Sequence, residues 1–353
     1  MSSDLKSKSM VPKPGKPWRQ TPAQKVTTIA IFLISVLISY LVIATTGLKG
    51  KLAYVVVFFL SFMLIDYLNA RFRKGKSAGS DAIFRGFVSM GIIVALIPIV
   101  SILYSVFQRG YKGLHWSLFT TDMHSTPPNA PVDQGGLLHA IIGTFLLVIV
   151  ALIISMPIGI LTAIYLTEIK GKFARPIKFL VQAMSGVPSI VAGLFILAAI
   201  VYPITKSLNS FEGSLALAIL MIPTVARTSE EVLLLVPQDL RESGVALGGT
   251  QWRTIAQIVL PAARSGLITA MILGIARVAG ETAPIVLLTG GGDTTNWNVF
   301  NGPMGSLPFY IWKGFGAGTE ESITRAWAGI IVLLVIVLTL FIGARFLGDR
   351  KKK

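Results

Sequence analysis

Residues 138–167 read LHAIIGTFLLVIVALIISMPIGILTAIYLT and contain no Asp, Glu, Lys or Arg. As a helix rising about 1.5 Å per residue, this stretch would be longer than the roughly 30 Å of a bilayer's hydrocarbon core. Its apolar residues occupy every face of a helix instead of alternating with polar ones, which excludes a strand of a membrane barrel. The stretch therefore predicts a transmembrane helix.

Similar apolar runs recur along the whole chain of 353 residues, of which 53% are hydrophobic and only 14% charged. An ordinary soluble domain has about 25% charged residues, so a soluble class is excluded. We expect an all-α, polytopic membrane helix bundle of about eight transmembrane helices, a six-span core preceded by an N-terminal two-helix hairpin. The predicted spans are 26–46, 52–70, 84–107, 138–167, 177–203, 213–235, 265–289 and 326–347.

The spans and their flanks divide the chain into segments. Residues 1–25 are rich in Lys, Pro and Ser, which predicts a disordered cytoplasmic N-terminus. Residues 26–76 form the predicted transmembrane hairpin and its linker. Residues 84–347 form the main transmembrane domain, and residues 348–353 form a basic cytoplasmic tail.

The cationic side chains predict how the helices are oriented. The chain has 32 Lys and Arg against 16 Asp and Glu, a formal charge of +16. With the N-terminus inside, 23 of the 32 fall on the cytoplasmic side and seven outside, as the positive-inside rule requires. We therefore expect both termini to be cytoplasmic in a multi-pass protein, with a charge excess that orients helices instead of binding nucleic acid.

The sequence offers no evident catalytic, nucleotide or metal site. The chain has no cysteine, and the spacing of His115, His124 and His139 matches no metal motif. Gly75-Lys76-Ser77 resembles the end of a P-loop, but Ala70 stands where that motif requires glycine. We expect no cofactor, no metal and no ATP hydrolysis by this chain.

Residues 236–261, hereafter the coupling loop, read VPQDLRESGVALGGTQWRTIAQIVLP and are too polar to enter lipid. Gly248 and Gly249 provide a turn between two short amphipathic helices, and Thr250 is placed to cap the second helix. A compact polar helix pair at one end of a bundle suits the docking of a soluble partner, since a helix can enter its groove. An ordinary interfacial loop is the alternative.

The coupling loop resembles the EAA loop of ABC importer permeases, whose pattern is E-A-A-x3-G-x9-I-x-L-P. The spacing is met without gaps, although Ser243-Gly244 replaces Ala-Ala. The resemblance implies that a separate ATPase docks here, and that this chain is a transport subunit, not an enzyme. The implied ATPase-coupling residues are Glu242, Ser243, Gly244, Gly248, Ile258, Leu260 and Pro261.

Two arginines, Arg227 and Arg277, fall well inside predicted spans at a similar expected depth. Each costs about 2.5–3.5 kcal/mol at mid-membrane on insertion scales, so a function is indicated. Glutamates follow at helical spacing, Glu230 and Glu231 after Arg227 and Glu281 after Arg277, so salt bridges are possible. The guanidinium fork suits a tetrahedral oxyanion such as phosphate or sulfate. Pairs that only hold the bundle together are the alternative.

Three segments resemble the permeases of Pst-type phosphate ABC importers, and the PstA-type subunit in particular. They are SGVPSIVAGLF at 185–195, IPTVARTSEE at 222–231 and ARVAGETAP at 276–284. The resemblance runs from about 84 to 347 and leaves the hairpin outside it. It implies import of inorganic phosphate across a prokaryotic inner membrane, with Arg227, Glu230, Arg277 and Glu281 along the substrate path.

The resemblance also implies the partners of the chain. They are a second homologous permease subunit, a dimer of ATP-binding subunits and an extracytoplasmic phosphate-binding protein. Two other functions stay open from the residues: a permease for another oxyanion such as sulfate or molybdate, and a secondary anion transporter that uses the Arg-Glu belt. The EAA-like loop argues against the second of these.

Overall fold

The computed structural model describes residues 22–47 and 50–349 and is built almost entirely from helices. Residues 1–21, most of the segment predicted to be disordered, and residues 350–353, most of the basic tail, lie outside the described part. The helices are α1 (Pro22–Thr46), α2 (Lys51–Lys74), α3 (Lys76–Gly110), α4 (Ser117–Thr120), α5 (Leu138–Ile164), α6 (Ala174–Ser185), α7 (Ser189–Ile196), α8 (Ser210–Leu234), α9 (Gln238–Ala246), α10 (Gln251–Thr254), α11 (Leu260–Val278), α12 (Ala283–Leu288), α13 (Leu307–Ala317) and α14 (Glu320–Asp349).

Three helices continue into wider π-helical turns: α5 through Tyr165–Ile169, α7 through Leu197–Thr205, and α10 through Ile255–Val259 into α11. Extended pairing in the described residues is limited to one isolated bridge, between Gly290 and Met304. The predicted all-α class is confirmed.

Six segments of the described chain are long and apolar enough to cross a membrane. They are Lys25–Thr46, Leu52–Lys74, Lys76–Gly113, Leu138–Ile169, Gln251–Val278 and Glu320–Gly343. The pair α6 and α7 passes the same test as one span bent by 107°. With the charged helix α8 as a further crossing, the predicted count of about eight is roughly consistent with the structure.

Two of the predicted spans are interrupted. The span 177–203 breaks between Ser185 and Ser189, where Pro188, which lacks a backbone N–H, precedes the first turn of α7. The span 265–289 breaks between Val278 and Ala283, so Arg277 lies in the last turn of α11 instead of mid-helix. At the other end of the chain, α1 already begins at Pro22, inside the segment predicted to be disordered.

The chain divides into two compact units, Met1–Ile102 and Leu103–Lys353. In the first unit, α1 and α2 form a hairpin whose buried serines pair across it, with Ser61 Oγ 3.5 Å from Ser39 Oγ. The start of α3 packs on α2, since an added Cβ on Gly79 would lie 2.9 Å from the ring of Tyr67. Arg85 and Asp66 form an ion pair at 2.7 Å between these two helices.

Helix α8 is at the centre of the second unit and packs against α5 along its length. An added Cβ on Gly159 would lie 2.7 Å from Val225 Cγ1, and one on Gly213 would lie 3.2 Å from Leu147 Cδ2. Residue numbers therefore rise together, from 147 to 159 on α5 and from 213 to 225 on α8, so these helices run parallel. The chain between them must cross back, which makes α6 and α7 a crossing.

Helix α11 packs against another side of α8. A Cβ on Gly266 would meet Val232, and one on Gly274 would lie 2.5 Å from Met221 Cε. Because residue numbers rise on one helix as they fall on the other, α8 and α11 are antiparallel. Small residues on both neighbours thus let three backbones approach closely, as in many membrane bundles.

Candidate functional site

The coupling loop folds into the predicted helix, turn and helix. Helix α9 ends at Ala246, and Gly248 adopts a left-handed conformation with φ of 84°. The N–H of Gly249 then donates to Gly244 O at 3.1 Å, which closes a turn of the Schellman type. Thr250 Oγ1 accepts from Arg253 N at 3.4 Å and caps α10.

Gly244 stands where the EAA pattern has alanine. It is buried where the two arms of the coupling loop pack together, one arm being α9 and the other α10 with its π-helical continuation. An added Cβ would lie 2.7 Å from both Ile258 Cδ1 and Thr254 Cγ2, closer than real Cβ atoms approach other atoms. The neighbouring Ser243 is exposed, and its hydroxyl donates to Asp239 O at 2.7 Å. The glycine is therefore explained by close packing, and the serine replaces alanine on an open face.

The outer face of the coupling loop carries exposed apolar side chains. Leu247 is 88% exposed and Trp252 is 60% exposed, and Glu242 and Gly248 are exposed beside them. The exposed leucine and tryptophan do not stabilise the fold of the loop itself, because they bury no apolar surface within it. Such a mixed surface is typical of a docking site for another protein.

Arg241, which the sequence reasoning counted only as one of the orienting cations, fixes the coupling loop to the bundle. Its guanidinium forms a two-pronged ion pair with Glu168 at the end of α5, with Nη2 2.8 Å from Oε1 and Nε 2.9 Å from Oε2. The hydrogen bonds to Glu168 raise the pKa of Arg241, which burial alone would lower. Glu168 and Arg241 are 73 positions apart in the chain, so no local pattern indicated this pair.

Arg227 lies on the exposed face of α8 and forms no ion pair or hydrogen bond within the described part of the chain. Glu230 does not pair with it. Instead, the carboxylate of Glu230 accepts from Lys178 Nζ of α6 at 2.8 Å. The helical spacing permitted an Arg227–Glu230 salt bridge, but a lysine from a packed neighbouring helix occupies that carboxylate.

Arg277 is also exposed, and among residues 22–47 and 50–349 it has no ionic partner, Glu281 included. The contact of Gly274 with Met221 and the contact of Gly266 with Val232 fix the register of α11 on α8. That register places Arg277 level with positions 218–221, about six to nine residues or 9–14 Å along the axis from Arg227. The expected similar depth is wrong, because the helix that carries Arg277 starts at Gln251, not near residue 265.

The segments 185–195 and 276–284, which carry part of the family resemblance, meet in space. Gly193 of α7 lies against α12, where an added Cβ would be 2.9 Å from Pro284 Cα. This contact places the Gly280–Thr282 break, with Glu281 half-buried, next to the bent pair of α6 and α7. Segments 185–195 and 276–284 are thus in direct contact, and the third segment, 222–231, is part of α8.

The loops at the other end of the second unit are tied together by polar contacts. Burial raises the pKa of Asp122, but hydrogen bonds from His124 N and from Thr295 outweigh it and hold that pKa below its usual value. Arg325, in the second turn of α14, is buried and donates to the carbonyls of Pro128 at 3.2 Å and Pro131 at 2.7 Å. No pattern near Arg325 in the chain indicated that this arginine organises a loop.

Comparison with known proteins places this arrangement in a family. The family model described as "Binding-protein-dependent transport system inner membrane component" matches residues 155–353, which include α7, α8, the coupling loop and α11. The chain belongs to this family. It is therefore an inner-membrane component of a transport system, a permease subunit and not an enzyme.

Individual relatives match over a longer part of the chain. The phosphate transport system permease protein PstA 1 of Mycobacterium tuberculosis is 38% identical over 291 residues, covering 81% of this chain and 92% of its own. PstA of Haemophilus influenzae is 36% identical and covers 80% of this chain and 98% of its own length. A solved chain of the MetNI methionine ABC transporter is similar at 19% identity and a TM-score of 0.48, covering 60% of this chain and 92% of that chain.

Proposed function

We propose that this chain is the transmembrane permease subunit of an ATP-driven importer that translocates inorganic phosphate across the cytoplasmic membrane. The observation that carries the proposal is its 38% identity to a phosphate permease over 81% of the chain, with nearly the whole relative covered. The coupling loop, with its exposed Leu247 and Trp252, is the surface through which a separate ATPase drives transport.

Two exposed arginines support the proposal that the substrate passes along α8 and α11. Arg227 on α8 and Arg277 at the end of α11 have guanidinium forks that the described chain leaves without ionic partners. Their levels differ by about 9–14 Å along the axis, which suits a hand-over from one arginine to the next better than a joint grip on one small anion. A weak, stepwise site lets the anion leave as well as enter.

In this proposal, the glutamates next to these arginines make the path selective for phosphate. Glu230, held by Lys178 at 2.8 Å, and the half-buried Glu281 place negative charge beside the anion. A carboxylate can accept a hydrogen bond from protonated phosphate, whereas it only repels fully ionised sulfate. The balance of charges therefore favours phosphate.

A second, homologous permease subunit completes the path. An unpaired arginine facing lipid would cost about 2.5–3.5 kcal/mol on insertion scales, and Arg227 and Arg277 are both exposed in the single chain. A partner subunit that covers this face turns it into an aqueous path between two chains. A dimer of ATP-binding subunits on the coupling loops and an extracytoplasmic phosphate-binding protein complete the assembly.

The proposed orientation places the coupling loop and both chain termini in the cytoplasm. The positive-inside bias of 23 to seven supports it, and an even number of crossings is consistent with it. In this orientation the loops tied by Asp122 and Arg325 face the side from which phosphate arrives.

The test uses the assembled complex in proteoliposomes, with phosphate, sulfate and molybdate each presented by its cognate binding protein. We expect phosphate alone to stimulate ATP hydrolysis and to accumulate in the lumen, with a complex lacking binding protein as the control. Stimulation by sulfate or molybdate without stimulation by phosphate would show that the chain serves another oxyanion. Uptake that needs no ATPase subunit would indicate a secondary transporter.

A further inference from the structure

A single residue at the end of α5, Glu168, holds both arms of the coupling loop. Its carboxylate accepts from Arg241 of α9, at 2.8 Å from Nη2 and 2.9 Å from Nε. Its backbone carbonyl accepts from Gln251 Nε2 of α10 at 2.8 Å. The two short helices of the loop are therefore fixed to the bundle at the same point.

The guanidinium of Arg241 reaches a second helix as well. Nη1 donates to Val236 O at 2.6 Å, and Nη2 donates to Leu233 O at 2.8 Å. Leu233 is in the last turn of α8, where C=O groups lack partners within the helix, and Val236 follows two residues after the helix ends. Because one planar fork binds the carboxylate and both carbonyls together, α5, α8 and α9 meet at this arginine.

The contact is sheltered from water. The Glu168 side chain is 7% exposed and that of Arg241 is 18% exposed, so solvent and salt screen the pair much less than a surface pair. Removing one partner of a buried ion pair leaves the other charge uncompensated, which is strongly unfavourable. The geometry of the pair is therefore held firmly.

The link lies close to the substrate path in sequence and in space. Leu233, whose carbonyl Arg241 binds, follows Arg227 by six residues on the continuous helix α8, about 9 Å along the axis. A displacement of the coupling loop at this point reaches Arg227 without an intervening flexible segment.

We propose that the Glu168–Arg241 pair is the rigid link that transmits ATP-driven displacement of the coupling loop to α5 and α8. Glu168 and Arg241 are then positioning residues for transport, distinct from the exposed residues that dock the ATPase. The inference rests on the proposed function, since it requires an ATPase on the coupling loop.

The test is Glu168→Gln in the full complex with its ATPase subunits and binding protein. Phosphate uptake, ATP hydrolysis and the amount of bound ATPase subunit are measured on the same proteoliposomes. We expect the ATPase subunit to stay bound and to hydrolyse ATP, because Glu242 and Gly248 are untouched, while the phosphate moved per ATP falls at least about tenfold. The matched control is Asp81→Asn, which neutralises an exposed carboxylate on α3, outside the coupling loop and the proposed substrate path, and should behave like the parent.

The other outcomes are also decisive. An unchanged ratio of phosphate to ATP in assembled Glu168→Gln, or an equal loss of both activities, would overturn the proposal and make the pair purely structural. If Glu168→Gln does not assemble, Arg241→Lys decides, because it keeps the positive charge beside Glu168 but removes the planar fork that also binds the carbonyls of Leu233 and Val236. A lower ratio in that variant supports the link, and a parental ratio overturns it. A parent complex without phosphate-stimulated ATP hydrolysis would instead refute the proposed function.

Discussion

Restoring the two alanines of the EAA pattern should have opposite effects at its two positions. Ser243 is exposed, so Ser243→Ala should stabilise α9 by about 0.5 kcal/mol through helix propensity. Gly244→Ala gains about 0.8–1.0 kcal/mol of propensity, but its methyl group would lie 2.7 Å from Ile258 Cδ1 and from Thr254 Cγ2. Overpacking of this kind costs about 1–3 kcal/mol, so we expect a net loss of about 1 kcal/mol.

The assay is thermal unfolding of the assembled complex, together with the amount of ATPase subunit that stays bound after detergent washing. We expect Ser243→Ala to match or slightly exceed the parent in both measurements. Gly244→Ala should lower both, and Gly244→Val should lower them further because its side chain cannot avoid Thr254. If Gly244→Ala stabilises the complex as Ser243→Ala does, the two arms of the coupling loop are not packed as described.

Three further predictions address the path, the docking surface and the N-terminal hairpin. Arg227→Glu or Arg277→Glu should abolish phosphate uptake without loss of the protein from the membrane, and Arg→Lys at either position should impair it because the planar fork is lost. Normal uptake by assembled Arg277→Gln would refute the relay at that position. Glu242→Lys or Gly248→Val should detach or uncouple the ATPase, measured by co-purification and by uptake per ATP; the valine is strained at φ of 84°. Both variants transporting normally would refute docking there. Deleting residues 1–76 should leave an assembled, transporting core, and an assembled but inactive truncation would make the hairpin part of the mechanism.

Features that depend on local sequence were predicted well. The apolar runs gave the all-α membrane bundle, because hydrocarbon requires every backbone polar group to bond within its own helix. The turn at Gly248 and the cap at Thr250 were also predicted, since both depend on residues within a few positions of each other. The roles of Arg227, Glu230, Arg277 and Glu281 stay predictions.

Features that depend on contacts between distant segments were missed. Glu230 binds Lys178, 52 residues away, whereas helical spacing suggested Arg227. Arg241 looked like one more cation at a membrane edge, because nothing near it in the chain reveals Glu168. The offset between Arg227 and Arg277 was missed because polar residues from Gln251 to Arg264 concealed the true start of the second helix.

The close approach of α5, α8 and α11 through Gly159, Gly266 and Gly274 has a consequence for how the protein changes shape. Packed helices slide past one another by small rotamer changes of interleaved side chains, but these glycines lie against the stiff β-branched side chains of Val225 and Val232, which have little room to readjust. These three helices should therefore move as a single lever. The pivots are then the interruptions at Gly186–Pro188 and at Gly280–Thr282, where the helical hydrogen-bond ladder is already open. Alternating access in this subunit would be a hinge motion about those two points.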